Sequence, residues 1–339
     1  MKKHAIIPLF IPHMGCPHDC VFCNQNTITA SDEKMDSVKV REVMESKLQN
    51  LEPLGLETIE AAFYGGSFTG LPIEFQQELL GAVLPYKQSG RIQKIRLSTR
   101  PDYINTQILD LLRLYSVDII ELGVQSFDDK VLSLSNRGHT VEQTLDACRL
   151  VKEKGFALGI QLMIGLPGDS RETAQKTALK TISLKPDFIR IYPTVILKGS
   201  QLAEMFSHGL YNPLTTEEAV DIAKDMVREF DQTNIPIIRL GLKSTDNICT
   251  SADLAGAYHP AFRQLVEGSL AFDDLAEQLK ASNVQEGLVQ LSANPKSFSN
   301  LIGQNGVNKN HFNELYPRVR FFYKPDATLP ERKYNIKLL

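Results

Sequence analysis

The chain of 339 residues has no tryptophan, a net charge of only −3 from 37 Lys plus Arg against 40 Asp plus Glu, and no long apolar run. Each shortage excludes something. A near-neutral chain has no overall electrostatic case for binding nucleic acid. A membrane span needs roughly 20 consecutive apolar residues, and the greasiest segments, residues 156–167 and 188–197, are short and flanked by polar side chains. The amino end, Met-Lys-Lys-His-Ala-Ile-Ile-Pro, has too few apolar residues before Pro8 and Pro12 for a secretory signal, so a cytoplasmic protein is expected. Hydrophobic residues at 42% beside 23% charged ones exclude wholesale disorder and any collagenous or low-complexity architecture. Five cysteines make an odd count, and three of them fall between positions 16 and 23, which argues for metal chemistry over a disulfide framework.

What is present is an alternation. Nearly continuous apolar runs at residues 5–11, 60–64, 94–98, 118–125, 157–164 and 188–195 read as strands of a parallel sheet covered on both faces. Between them apolar residues recur at three and four spacing, as in Met35, Val38, Val43 and Leu48, or Ile104, Ile108, Leu111 and Leu112, which predicts helices. Some helix ends are legible. Thr140 can cap a helix that Gly155 stops, Asp169 with Glu172 reads as a capping box, and Thr215 with Glu218 as another. A seventh apolar run follows at 235–240. Six βα units in sequence favour an α/β fold built as a partial (βα)6 barrel of TIM type over a doubly wound sheet. Both folds place the site at the carboxyl ends of the strands. Beyond about Thr245 the rhythm breaks and Gly, Asn, Ser and Pro become frequent, so residues 1–245 are expected as a core domain and 246–339 as a small C-terminal α+β subdomain.

Cys16, Cys20 and Cys23 follow directly on the first strand. A structural zinc site wants four ligands, usually as two separated pairs. Cys148 and Cys249 are isolated, so zinc would need His13 or His18 to complete it. A four-iron cubane on three cysteines instead leaves one iron without a protein ligand, which is a reactive position. The later strands end in polar strings. The second ends in Phe63-Tyr64-Gly65-Gly66-Ser67-Phe68-Thr69 and the third in Ser98-Thr99-Arg100-Pro101-Asp102-Tyr103. The fourth ends in Glu121-Leu122-Gly123-Val124-Gln125-Ser126-Phe127, with Asn136-Arg137-Gly138-His139 beyond it, and the fifth in Gln161-Leu162-Met163-Ile164-Gly165-Leu166-Pro167-Gly168.

The Cys-x3-Cys-x2-Cys loop, taken with these strings, resembles the radical S-adenosylmethionine (SAM) superfamily. It resembles in particular the branch with the radical domain of the Elongator catalytic subunit, a tRNA wobble-uridine modifier, and oxygen-independent coproporphyrinogen oxidase. The resemblance covers roughly residues 5–245. It implies a [4Fe-4S] cluster on Cys16, Cys20 and Cys23, with SAM chelating the open iron. An electron from the reduced cluster would split the sulfonium, and the resulting 5′-deoxyadenosyl radical would take hydrogen from substrate. By the same resemblance Gly65 and Gly66, with Ser67 beside them, would hold the amino group of SAM, while Gln125 and Arg137 would meet its ribose and carboxylate. Phe22 and Tyr192 would lie against adenine, and Ser98 and Gln161 would bear on the ribose hydroxyls. A low-potential electron donor such as flavodoxin or ferredoxin is an implied partner.

The Arg-Pro-Asp-Tyr, Gly-Val-Gln-Ser and Asn-Arg-Gly-His strings lean toward Elongator, and residues 255–267 look like its C-terminal continuation. The chain also departs from both relatives. The Elongator subunit has a longer gap between its first two cysteines, and it carries an acetyltransferase domain for which the residues after Thr245 leave too little room. Its complete reaction is therefore not expected. The oxidase has a Gly-Gly-Gly-Thr-Pro string and a further cysteine where Gly65-Gly66-Ser67-Phe68 and Asn24 stand here, which argues against porphyrinogen decarboxylation. Ser98 replaces an acidic residue usual at the third strand, and Gln161 replaces an Asp of the oxidase. A tRNA base is the first expected substrate, a small tetrapyrrole in an anaerobic porphyrinogen-type oxidase the second, and a zinc-binding interaction module the non-enzymatic alternative.

Other residues read as having plainer duties. Cys148 is a small buried hydrophobe, Cys249 carries no assigned chemistry, His13, His18, His139 and His259 are structural, and Asp102, Asp128 and Asp169 serve caps and turns. Residues 316–339 hold six basic residues (Arg318, Arg320, Lys324, Arg332, Lys333 and Lys337) against two acidic, with Phe321, Phe322, Tyr323 and Tyr334 interleaved. That composition suits RNA, so tRNA is a candidate partner here. The simpler reading is an edge strand at 319–323, packed on the barrel and kept soluble by its charges.

Overall fold

The structure, a computed structural model, describes residues 4–11, 16, 19–24, 35–242 and 255–339. His13, His18 and Cys249 lie outside the described residues. Seven parallel strands form one sheet, each paired with the next: β1 (His4–Ile11), β2 (Thr58–Gly65), β3 (Lys94–Thr99), β4 (Ile119–Gln125), β5 (Ala157–Ile164), β6 (Phe188–Pro193) and, past the two-residue β7 (Val195–Ile196), β8 (Ile237–Leu240). β1 and β8 are the edges, so the curled sheet is a partial barrel open along one side. The apolar runs locate all seven strands to within two residues at each end. The sixth run breaks at Thr194, whose N–H and hydroxyl both donate to the Ile164 carbonyl, at 2.9 and 2.8 Å.

The period of two decides what each face does. One side of the strands, with Ile7, Leu9, Phe63, Leu97, Ile160 and Ile191, is fully buried beneath helices such as Ser37–Leu51, Ile73–Gln88 and Val141–Glu153. The opposite parity lines the inside of the curl and carries Glu60, Tyr64, Arg96, Ser98, Glu121, Gln161, Arg190 and Tyr192. Thr140 caps its helix in a reciprocal box with Gln143, and Thr215 does the same with Glu218. The box expected at Asp169 falls one residue later. Ser170 caps the helix with Thr173, because Asp169 is already taken by the N–H groups of Gly165 and Ser170 at 2.9 and 3.0 Å.

After β9 (Ala255–Gly256), which pairs with β7, a second sheet forms around β10 (Gly287–Ala293), flanked by β11 (Val319–Pro325) and β12 (Tyr334–Leu338). Its inner face closes a second core with Leu275, Leu279, Val289, Leu291 and Phe312. The 20-residue helix Phe262–Ala281 enters both cores, with Phe262 and Val266 in the first and Leu275 and Leu279 in the second. Residues 319–323 do form an edge strand, but on this separate sheet and not against the barrel.

Gly159 fixes how closely β5 and β6 lie. A Cβ there would come within 2.3 Å of the Phe188 ring. Overpacking of this kind costs about 1–3 kcal/mol, so Gly159→Ala is expected to lower the unfolding free energy by that amount, read as a lower urea midpoint at unchanged slope.

Candidate active site at the strand ends

The cysteine loop is held from two sides. The Val21 N–H donates to Ser135 O at 3.2 Å and Asn136 Nδ2 to Asp19 O at 2.8 Å, both from the segment after β4, while the Leu202 N–H after β7 donates to Val21 O at 2.7 Å. The Cys23 N–H closes a turn on Cys20 O at 2.9 Å. Cys20 is buried, and Cys16 and Cys23 are half-buried. Arg137 reaches into this loop: Nη1 lies 3.1 Å from Cys20 Sγ and Nη2 2.6 Å from Gly123 O, with the guanidinium 6.0 Å from the Phe22 ring centre. Arg100 donates to the Arg137 carbonyl and is itself gripped by Asp102 through two bonds of 3.0 Å. Burial works against the charge of Arg100, but Asp102 and the nearby Cys20 and Cys16 outweigh it and its pKa is raised.

The glycine pair has a backbone reason. Gly65 has φ +109°, and a Cβ there would meet Ile11 O at 2.4 Å, while the Gly66 N–H donates to the same carbonyl at 3.1 Å. Only glycine lets the end of β2 come so close to the end of β1. Beside them Ser67 Oγ, Thr69 Oγ1 and Thr99 Oγ1 form a ladder, at 2.8 Å from Ser67 and 2.6 Å from Thr69 to Thr99. Ser98 Oγ is buried with no hydrogen-bond partner among the described residues, at a small cavity lined by Ile11, Tyr64, Gly66, Ser67 and Phe68. Gln125 sits at φ +69° where the β4–β5 register shifts, and it accepts from Gln161 Nε2 at 3.5 Å. A bulge with a non-glycine at positive φ is strain of the kind kept at functional sites.

The structure thus gathers Cys16, Cys20, Cys23, Phe22, Gly65, Gly66, Ser67, Ser98, Gln125, Arg137 and Gln161 around the carboxyl ends of β1–β5. Tyr192, next to last on β6, faces the inside of the curl, where Arg190 Nη1 approaches its hydroxyl at 3.5 Å and Nη2 donates to Tyr64 Oη at 3.0 Å. Sequence reasoning missed what lies beneath it. Arg96 bridges Glu60 at 2.7 Å and Glu121 at 3.6 Å, Arg190 meets Glu121 at 3.2 Å, and His4 meets Glu60 at 3.0 Å. Burial raises the Glu121 pKa against the pull of Arg190 and Arg96. A signal was available: a charged residue at an inward position of each of four otherwise apolar strands is expensive unless it pairs.

The radical SAM superfamily matches residues 10–180, and the radical SAM C-terminal domain matches 186–271. The chain belongs to the radical SAM superfamily and is an enzyme, which removes the zinc-module alternative. Its relatives include a tRNA uridine(34) acetyltransferase of Methanocaldococcus infernus, 29% identical over 68% of this chain and 51% of that one. Elongator complex protein 3 of Saccharomyces cerevisiae is 27% identical over 64% of this chain and 47% of that one. The chain therefore spans about half the length of these curated relatives. Among solved structures, archaeal Methanocaldococcus infernus Elp3 lacking residues 1–46 has a TM-score of 0.60 at 22% identity, covering 83% of this chain and 64% of that one, a likeness of fold. Among the described residues no helix is long and apolar enough to cross a membrane.

His139 follows Arg137 by two residues and is buried. Burial, with Arg137 and Arg100 nearby, pushes its pKa from 6.5 down to about 3. The depressed value means that the unfolded chain takes up a proton first, so stability present above pH 6.5 is lost as pH falls toward 3. Between about pH 6 and 5, above the carboxylate range, His139→Gln is expected to flatten the loss of unfolding free energy by up to about 1.4 kcal/mol per pH unit. Equal slopes for both proteins in urea titrations would contradict this.

Proposed function

We propose that this enzyme carries a [4Fe-4S] cluster on Cys16, Cys20 and Cys23, cleaves SAM reductively, and takes hydrogen from a tRNA base. The observation that carries the reading is the three-thiol loop clasped by Arg137 at the strand ends, beside a buried hydroxyl that lacks a partner. Among the described residues no three His, Cys, Asp or Glu side chains surround one ion-sized point. A cubane does not ask for that, since each thiolate binds its own iron. When bound, the cluster and SAM would supply the electron and the carbon radical. The protein's own groups have separate tasks. Gly65 and Gly66 would bring backbone to the amino end of SAM with Ser67 beside them. The Ser98 hydroxyl and Gln161 would offer neutral donors to the ribose, and Gln125 and Arg137 would meet ribose and carboxylate. Phe22 would present backbone to adenine, with Tyr192 reaching the same base from inside the curl. A flavodoxin or ferredoxin would deliver the electron, and the core would end near Thr245 with residues 246–339 as the C-terminal unit.

The substrate class comes from the relatives' names and from one surface. The outward face of the second sheet alternates Arg320, Phe322 and Lys324 on β11 beside Leu288, Gln290 and Lys337, without an acidic residue. Phe322 is 45% exposed there. A basic sheet face with an open aromatic ring is a platform for unstacked bases.

Two measurements check this reading. Protein reconstituted without oxygen should bind about four iron and four sulfide per chain and release 5′-deoxyadenosine from SAM once reduced. Replacing Cys16, Cys20 and Cys23 together by alanine should abolish both, whereas a colourless protein with one zinc and no labile sulfide would sink the proposal. For the surface, Arg318→Ala with Arg320→Ala should weaken tRNA binding and reduce its salt slope by about two. An unchanged affinity removes tRNA from that face.

A further inference from the structure

Contact with the carboxylate of SAM does not exhaust what Arg137 does. The residue is buried, at 6% exposure, and its donors point in three directions. Nη1 meets Cys20 Sγ at 3.1 Å, Nη2 meets Gly123 O at 2.6 Å, and Nε is buried with no partner among the described residues. The carbonyl on β4 sets the plane of the fork, the Phe22 ring lies 6.0 Å from its centre, and Arg100 holds the backbone carbonyl of the same residue. A guanidinium does not give up its proton in a protein. The site therefore holds a fixed positive charge aimed at one particular cysteine sulfur.

A cation donating to a sulfur ligand favours whichever state of the metal centre is more negative, and hydrogen bonds to the sulfurs are among the levers that set cluster potentials. Burial strengthens the effect by lowering the local dielectric. We propose that Arg137 is a positioning residue that joins the two halves of the cofactor site. Through Nη1 on Cys20 Sγ it raises the reduction potential of the cluster, and through the unclaimed Nε it offers the remaining donor to a carboxylate oxygen of SAM. The inference rests on the cluster reading above. The Cys20 contact distinguishes it from a simple ligand-binding role, because a residue that only held SAM would leave the potential of the SAM-free protein untouched.

The test is a dithionite titration with redox mediators, followed by electron paramagnetic resonance on reconstituted protein without SAM. At a fixed potential Arg137→Gln should lower the ratio of reduced to oxidised cluster about tenfold, which is about 59 mV for a one-electron couple. Arg137→Lys keeps the charge but cannot bridge Sγ and the Gly123 carbonyl together, and should fall between. In equilibrium dialysis Arg137→Gln should bind SAM about tenfold more weakly. A midpoint shared by wild type and Arg137→Gln overturns the proposal. So does loss of iron from both variants while circular dichroism shows them folded, since the residue would then serve assembly alone. Wild-type protein that assembles no cluster defeats the cluster reading itself, an outcome distinct from a wild-type cluster indifferent to Arg137.

Discussion

A parallel sheet aligns the carboxyl ends of its strands, and everything that matters in this molecule hangs on that alignment. The cysteine loop leaves β1, the glycine pair leaves β2, the Arg100–Asp102 pair leaves β3, and Gln125 ends β4. None of these is near another in sequence. They meet because the alternate face of each strand is buried under helices, which fixes the register and leaves no slack at the strand ends. Gly65 shows how tight the meeting is: the end of β2 lies against the Ile11 carbonyl at a distance no side chain would permit.

The inside of the curl obeys a second constraint. Two glutamates and two arginines, Glu60, Arg96, Glu121 and Arg190, sum to no net charge. Taking such ions out of water costs several kcal/mol each unless they pair. They do pair, and through Arg190 the network reaches the hydroxyls of Tyr64 and Tyr192. The inside of the curl is thereby polar, and Arg96 lies over the Phe188 ring at 4.7 Å.

Most of the fold was legible in the sequence because strands buried on one face and helices with an apolar stripe leave periodic traces. The strands at 94–98 and 157–164 could be placed almost to the residue for that reason. The cap at Ser170 was not, since Asp169 and Ser170 are both good capping residues and the choice depends on the turn that Asp169 makes with Gly165. The inner ion network escaped for a related reason. Glu60, Arg96, Glu121 and Arg190 are far apart in the chain, and period-two reading treats each as an interruption of an apolar run. Only the sheet order turns four interruptions into two pairs. The Cys20–Arg137 contact spans 117 positions and has no local signature at all.

The substitutions at Ser98 and Gln161 and the isolation of Arg137 bear on one another. Both strand ends carry neutral residues where the resemblance leads one to expect acids. The acids on these strands and at their ends are engaged already, Glu121, the register partner of Ser98, by Arg190 and Arg96, and Asp102 by Arg100. Among the described residues no carboxylate pairs with Arg137, and its partners are a sulfur, a carbonyl and a ring. A buried cation without an anion is costly, so this site is built with a standing demand for negative charge. Thiolates bound to iron, and a carboxylate on the free Nε, are the anions that the proposed chemistry brings to that place.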